Sequence, residues 1–137
     1  LLNGERNPDA FAPADSTETS IMEIIMLYIE DHYSKELDRE HLAHKAGMNI
    51  HRFSRVFNET FGQSVKSYLN HIRIHKAAEL LRNSKELSVT KIAASVGYTN
   101  MVHFERVFRE VFGTSPRKFR MNYNAESAQS RHLWHFE

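Results

Sequence analysis

The chain has 137 residues, 41% of them hydrophobic and 26% charged, which suits one small globular domain or two smaller lobes. It has no cysteine, which excludes disulfides, thiolate chemistry and cysteine-ligated zinc. No apolar run is long enough to predict a membrane span, and no secretion signal is visible at the start of the sequence. Its net charge of +1 is unevenly distributed, because residues 1–62 carry 6 Lys and Arg against 11 Asp and Glu, whereas residues 63–123 carry 11 against 4. The basic second half favours a polyanionic partner.

The first helix is predicted at residues 21–33. Residues 1–19 contain two of the three prolines and no sustained apolar period, which is typical of a linker or disordered arm. Ser20 and Glu23 then stand at the spacing of a capping box, in which each side chain bonds the other residue's backbone N–H. The helix should therefore begin at Ser20.

Two further helices complete the predicted first lobe. Asp38 can cap a short helix that stops at Gly47, because Asp accepts backbone N–H bonds at a helix start and Gly tolerates the left-handed conformation at its end. Asn49 can cap the next helix, at residues 50–61, and Gly62 ends it.

The second half repeats this order after a long helix predicted at residues 65–82. The apolar positions of that helix shift from one side to the other along its length, as expected if its two ends belong to different lobes. The predicted helix starts in this half are Ser64, Ser88, Thr99 or Asn100, and Ser115 followed by Pro116, and the predicted stops are Gly97 and Gly113.

Two segments of the chain are nearly the same. Residues 42–64 align with residues 92–115 with one extra residue in the second turn, and each reads as a short helix, a glycine-containing turn and a second helix. That order is the helix-turn-helix pattern, and because no segment alternates with period two, the predicted fold class is all-α with about seven helices. The predicted organisation is an arm at 1–19, a first lobe at 20–64, a linker helix at 65–82, a second lobe at 83–123 and a tail at 124–137.

The second helices of the two copies have phenylalanines at the same spacing on one face and different residues on the other. Phenylalanines recur every four residues and should face the core. In helix-turn-helix proteins the opposite face enters the major groove, where Arg can bond guanine through O6 and N7. That face carries His51, Ser54, Arg55 and Asn58 in the first copy and Val102, Glu105, Arg106 and Arg109 in the second.

The two shared arginines also have a purely structural interpretation. Arg55 lies four residues before Glu59, and Arg106 lies four residues before Glu110. Each pair can form a surface ion pair, which contributes about 0.2–0.5 kcal/mol or less in this order. The residues alone leave groove contact and ion pairing open.

Residues 73–81 read RIHKAAELL, and residues 89–120 read VTKIAASVGYTNMVHFERVFREVFGTSPRKFR. These motifs resemble the C-terminal DNA-binding domain of the AraC/XylS family of bacterial transcription regulators, and the resemblance extends over about residues 21–121. It implies two homeodomain-like helix-turn-helix lobes joined by a linker helix. The matching positions are Arg73, Ala77, Leu80, Leu81, Ile92, Ala93, Val96, Gly97, Tyr98, Phe104, Arg106, Phe108, Gly113, Ser115, Pro116, Phe119 and Arg120.

The resemblance also implies which residues touch DNA. The base-reading positions it implies are His51, Ser54 and Arg55 in the first lobe and Met101, Val102, Glu105 and Arg106 in the second. The expected phosphate contacts are Arg52, Asn58, Lys66, Lys91, Asn100, Arg109 and Lys118.

The function implied is sequence-specific binding to double-stranded DNA, with two non-identical recognition helices in successive major-groove segments of an asymmetric site. A linker helix of about 18 residues is about 27 Å long, close to one turn of DNA at about 34 Å. The resemblance further implies a transcription activator that meets RNA polymerase in the cytoplasm, at the nucleoid. A sensing or dimerisation domain is expected before Leu1, with a stand-alone regulator that carries a loose arm as the alternative, and the isolated domain is expected to be monomeric.

The alternative function is a helical protein-interaction module that does not bind DNA. No enzyme, cofactor or metal site is predicted. His71 and His75 lie one helical turn apart, but Ile72 stands where a zinc-protease motif requires Glu.

Overall fold

The computed structural model describes the backbone of residues 16–135 and the side chains of residues 17–126. This part of the chain contains seven helices and no strand, which confirms the all-α prediction. None of its helices is both long and apolar enough to cross a membrane. The helices are α1 (Ser16–His32), α2 (Arg39–Lys45), α3 (Ile50–Phe61), α4 (Val65–Asn83), α5 (Val89–Ser95), α6 (Met101–Phe112) and α7 (Pro116–His135).

Side-chain caps start six of these helices where the sequence predicts, at Asp38, Asn49, Ser64, Ser88, Asn100 and Ser115. Asp38 accepts from the backbone N–H of Glu40 at the start of α2, and Ser88 accepts from that of Lys91 at the start of α5. The two candidate recognition helices begin with the same kind of cap, because Asn49 caps α3 and Asn100 caps α6. Of the two caps predicted for α6, the structure therefore uses Asn100 and not Thr99. Gly62 and Gly113 end α3 and α6 with φ of 72° and 77°. The left-handed conformation costs Gly little, so both helices stop at equivalent positions.

Two helix boundaries differ from the prediction. Helix α1 begins at Ser16, so Ser20 and Glu23 lie inside it and the predicted capping box at Ser20 is wrong. Helix α7 continues to His135, past the predicted end of the second lobe at residue 123, and no Pro or Gly interrupts the chain after Pro116. The rest of the predicted arm, at 1–15, lies outside the described residues, as do the side chains of the tail beyond 126.

The chain divides into two compact units, and the division falls inside α4. The first unit includes described residues 16–32 and 37–69. Phe53 and Phe57 are fully buried there, and the ring of Phe57 lies 5.6 Å from that of Tyr68 on the following helix. The other buried apolar residues of this unit are Met22, Ile25, Ile29, Leu42, Ala43, Ala46, Val56, Val65 and Leu69.

The second unit, residues 33–36 and 70 onward, repeats this packing. Phe104 and Phe108 are fully buried. The ring centre of Phe108 lies 5.4 Å from that of Phe119 on the following helix, and the corresponding distance in the first unit, from Phe57 to Tyr68, is 5.6 Å. The core cluster here comprises Ile74, Ala77, Ala78, Leu81, Ile92, Ala93, Val96, Tyr98, Phe104, Val107 and Phe108. The apolar ladder predicted from period-four phenylalanines therefore forms the core of both units.

Arg73 on α4 fastens a loop of the second unit. Its Nε donates to the carbonyl of Tyr33 at 2.6 Å and its Nη2 to the carbonyl of Lys35 at 2.8 Å. The guanidinium also lies 5.7 Å from the centre of the Tyr98 ring, and burial lowers its pKa. Both of these carbonyls thus receive a charged donor, which makes a stronger hydrogen bond than a neutral one.

Tyr98 makes this unit sensitive to alkaline pH. It is 5% exposed, its hydroxyl donates to Asn70 Oδ1 at 2.7 Å, and burial raises its pKa to about 12. Below the unfolded pKa of about 10 both states hold the proton. Between about pH 10 and 12 only the unfolded state loses it, so the free energy of unfolding should fall, by of order 1 kcal/mol per pH unit.

Tyr98→Phe tests this expectation. The variant should lose about 1 kcal/mol at neutral pH, because the hydrogen bond to Asn70 is gone, yet its stability should decline less steeply above about pH 10. Urea unfolding from neutral pH to about pH 11 measures both effects. Tyr68 should still contribute to the fall in stability of the variant, because burial and the Glu30 carboxylate raise the pKa of Tyr68 to about 12 as well. An unchanged slope in the variant would contradict the assignment.

Candidate nucleic-acid interface

The turn between the helices of each helix-turn-helix pair is built from the same backbone bonds. Met48 N–H donates to the carbonyl of Ala43 at 3.0 Å, and Tyr98 N–H donates to that of Ala93 at 2.9 Å. Gly47 and Gly97 hold φ of 73° and 110° just before these donors. Because Gly adopts positive φ without steric cost, each turn directs the chain into a second helix, α3 or α6.

Helix α3 presents most of the predicted first-lobe residues on its outer face. His51 and Arg55 are exposed and Ser54 is half-buried. Asn58 is exposed, and its side-chain amide donates back to the Ser54 carbonyl at 3.3 Å. This face offers a mixture of hydrogen-bond donors and acceptors, which is what base edges and phosphates require.

Arg52 differs from its neighbours, because its guanidinium pairs with the carboxylate of Glu18 from the first turn of α1. Glu18 is 7% exposed, and Arg52 is half-buried. A buried carboxylate needs such a partner, since an unpaired one is costly. Arg52 was predicted to contact phosphate, but in the structure its guanidinium is paired with Glu18 on α1.

A groove of about 530 Å³ separates α3 from the start of α4. Its lining brings the predicted residues Ser54, Asn58 and Lys66 together and adds the cation of Arg39, which the sequence analysis did not select. The remaining lining residues are Leu37, Ser64, Val65 and Leu69. The first lobe therefore carries two cations beside the outer face of α3.

Helix α6 presents the second predicted face. Val102 is 77% exposed, the most exposed of the large hydrophobic side chains described. With Glu105, Arg106 and Arg109 it lines a shallow depression of about 450 Å³, to which Glu110 also contributes. Single exposed apolar side chains are common on protein surfaces, and one in this position suits contact with a thymine methyl.

Two details of α6 were not predicted unambiguously. Arg106 forms the ion pair that the sequence allowed, its Nη1 lying 3.1 Å from Glu110 Oε2. Met101 is half-buried against the core of the second unit, so only part of its side chain is available to DNA. Arg55–Glu59, the corresponding pair in the first lobe, stays a prediction.

Several of the predicted phosphate-binding residues lie at helix starts. Lys66, Lys91 and Lys118 are exposed in the first turns of α4, α5 and α7. The Oγ atoms of Ser64, Ser88 and Ser115 cap those helices by accepting from Ser67, Lys91 and Lys118. Backbone N–H groups in a first turn point outward, and together with a cation they favour an anion. Asn100 is exposed at the start of α6 and caps that helix, since its Oδ1 accepts from His103 N–H.

Comparison with known proteins agrees with this geometry. Residues 42–122 match the sequence model of a protein family described as a helix-turn-helix domain. The transcriptional activator RhaS of Escherichia fergusonii is 33% identical over 125 residues, covering 91% of this chain and 41% of RhaS. The chain thus spans about two fifths of the length of the curated relatives it matches.

Two solved structures resemble the chain closely. One is the crystal structure of the DNA-binding domain of AdpA, the global transcriptional factor, in complex with a target DNA. It is 29% identical with a TM-score of 0.74, and the match covers 79% of this chain and 96% of the domain's chain. A probable AraC family transcriptional regulator from Rhodopseudomonas palustris is 25% identical with a TM-score of 0.70, covering 76% and 97%. The family match over residues 42–122 and these likenesses agree with the motifs of residues 73–120. The chain therefore belongs to the helix-turn-helix family of AraC/XylS-type DNA-binding domains.

Proposed function

We propose that this chain binds double-stranded DNA sequence-specifically and thereby regulates transcription. In this proposal α3 and α6 enter two major-groove segments, and the site is asymmetric because the two outer faces differ. The observation that carries the proposal is the pairing of one lobe architecture, with matching Asn caps and Gly stops, with different exposed residues. Two recognition helices that bind different DNA sequences are expected to share the residues that build the lobe and to differ at the exposed positions.

The relatives support the regulatory part of this proposal. RhaS is a transcriptional activator, and the AdpA domain was determined with its target DNA. For this chain we propose activation through contact with RNA polymerase in the cytoplasm, at the nucleoid. We also propose that the regulator includes a sensing or dimerisation domain outside these residues, as the greater length of its relatives suggests.

The roles of individual residues follow from their positions. We propose that His51, Ser54 and Arg55 read bases in the first segment, and that Met101, Val102, Glu105 and Arg106 do so in the second. Phosphate contacts are assigned to Asn58, Lys66, Lys91, Asn100, Arg109 and Lys118. Arg52 can join them only by leaving Glu18, so we expect it to contribute less.

Arg106→Ala tests the proposal most directly. Selection of bound sequences from random duplex DNA should return an asymmetric site, and the variant should bind it about 1–3 kcal/mol more weakly while tolerating any base at one position. The melting temperature should barely change, because Arg106 is exposed and an exposed i,i+4 ion pair contributes about 0.5 kcal/mol or less.

Lys85→Ala is the matched control, because Lys85 is an exposed cation in the loop before α5 and has no assigned DNA contact. It should keep the selected sequence. A wild-type chain that selects no sequence and shows no affinity for duplex DNA would contradict the proposal and favour the alternative, a helical protein-interaction module.

A further inference from the structure

Glu110 is placed at a position where its charge should be unfavourable. It lies in the last turn of α6, where the helix dipole is negative and an acidic side chain is disfavoured. It also lines the depression on the outer face of α6, where a negative charge repels phosphate. The order Arg106 then Glu110 is the weaker orientation for a helical ion pair, so helix stability does not account for Glu110 either.

What Glu110 does contact is the side chain assigned to base reading. Arg106 Nη1 donates to Glu110 Oε2 at 3.1 Å, and the two side chains are 59% and 61% exposed. A guanidinium is a rigid planar fork, so a hydrogen bond at Nη1 restrains its orientation and leaves the edge formed by Nε and Nη2 available. Those two N–H groups point in one direction, as a bidentate contact with guanine O6 and N7 requires.

We propose that Glu110 is a positioning residue for sequence readout by α6, an inference that rests on the proposed function. It holds Arg106 with its two-donor edge outward, so that guanine gains two aligned hydrogen bonds. It also partly neutralises Arg106, which makes a single contact from Arg106 to phosphate less favourable. Both effects raise the ratio of specific to non-specific affinity.

The test compares Glu110→Ala, Glu110→Gln and Arg106→Ala with the wild-type chain by selection from random duplex DNA. Glu110→Ala should lower the guanine preference at the Arg106 position by about tenfold, within the roughly 5-fold to 150-fold discrimination that a bidentate arginine contact supplies. Glu110→Gln, which keeps an acceptor of the same size, should retain part of that preference. Arg106→Ala should abolish it.

A second readout separates positioning from charge. Glu86→Gln removes an exposed carboxylate from the loop before α5 and serves as the charge control. Both Glu110→Ala and Glu86→Gln should change the affinity for a non-selected duplex by no more than about fivefold, as expected for one exposed charge. Only Glu110→Ala should reduce the guanine preference.

The outcomes are distinguishable. If Arg106→Ala loses the guanine preference and Glu110→Ala keeps it, the positioning role is wrong and the proposed function stands. If the wild-type chain selects no sequence, or Arg106→Ala selects the same one, the assignment of Arg106 to a base fails and the role of Glu110 fails with it. An equal loss of preference in Glu86→Gln would show a general charge effect and would also overturn the inference.

Discussion

Raising the salt concentration from about 50 to about 200 mM should weaken binding to the selected duplex by about a hundredfold to a thousandfold, for about four to six neutralised phosphates. Each phosphate that a cation neutralises releases condensed counterions, so the logarithm of affinity falls linearly with the logarithm of salt concentration. The exposed cations assigned to phosphate are Lys66, Lys91, Arg109 and Lys118. Arg39, beside the groove of the first lobe, and Arg52, if it leaves Glu18, would bring the number to six.

The measurement is a series of binding isotherms at increasing salt concentration. Lys118→Ala should lower the affinity for all sequences and reduce the slope by about one. Lys85→Ala, which has no assigned contact, should leave the slope unchanged. An affinity that does not depend on salt would contradict a phosphate-binding surface of this size.

Gly97→Ala should lower the free energy of unfolding by about 3–5 kcal/mol, the sum of backbone strain and displaced charged hydrogen bonds. Gly97 has φ of 110°, which L residues rarely adopt, and a Cβ there would lie 2.8 Å from Arg73 Nε. The substitution must therefore move the guanidinium that binds the carbonyls of Tyr33 and Lys35.

The repeated architecture supplies the matched control. Gly47 takes the same place in the first lobe, with φ of 73°, but a Cβ there would meet nothing within 4 Å. Gly47→Ala should therefore cost only the left-handed conformation, about 1–2 kcal/mol. Urea unfolding of both variants measures the difference.

A double-mutant cycle identifies its cause. In an Arg73→Ala background the penalty of Gly97→Ala should shrink toward that of Gly47→Ala, because no guanidinium remains to be displaced. Equal penalties for the two glycines in the wild-type background would refute the steric account.

Local signals predicted most of the fold. The Asn49 cap and the Gly62 stop were readable because a helix end depends on one or two residues. The phenylalanine spacing likewise located the buried faces of α3 and α6, since that spacing matches the helical period. The extension of α7 to His135 was not predicted, although residues 117–135 contain no Pro or Gly.

Features that depend on distant residues could not be read in this way. Helix α1 begins four residues earlier than the capping box suggests, and its first turn includes Glu18, whose partner Arg52 lies on α3. The tie of Arg73 to the carbonyls of Tyr33 and Lys35 likewise joins residues far apart in sequence. At the interface, spacing allowed both roles for Arg106, and the structure adds that its Nη1 pairs with Glu110 Oε2.

The division of α3 and α6 into a buried phenylalanine face and an exposed polar face has a consequence for how such a protein can change. Substitutions at exposed positions such as His51 or Val102 leave the buried ladder, the Asn caps and the Gly stops untouched. In the proposed mode of binding, each lobe can therefore acquire a new DNA preference without losing its fold. A regulator that binds in this way can be redirected to a new promoter one half-site at a time.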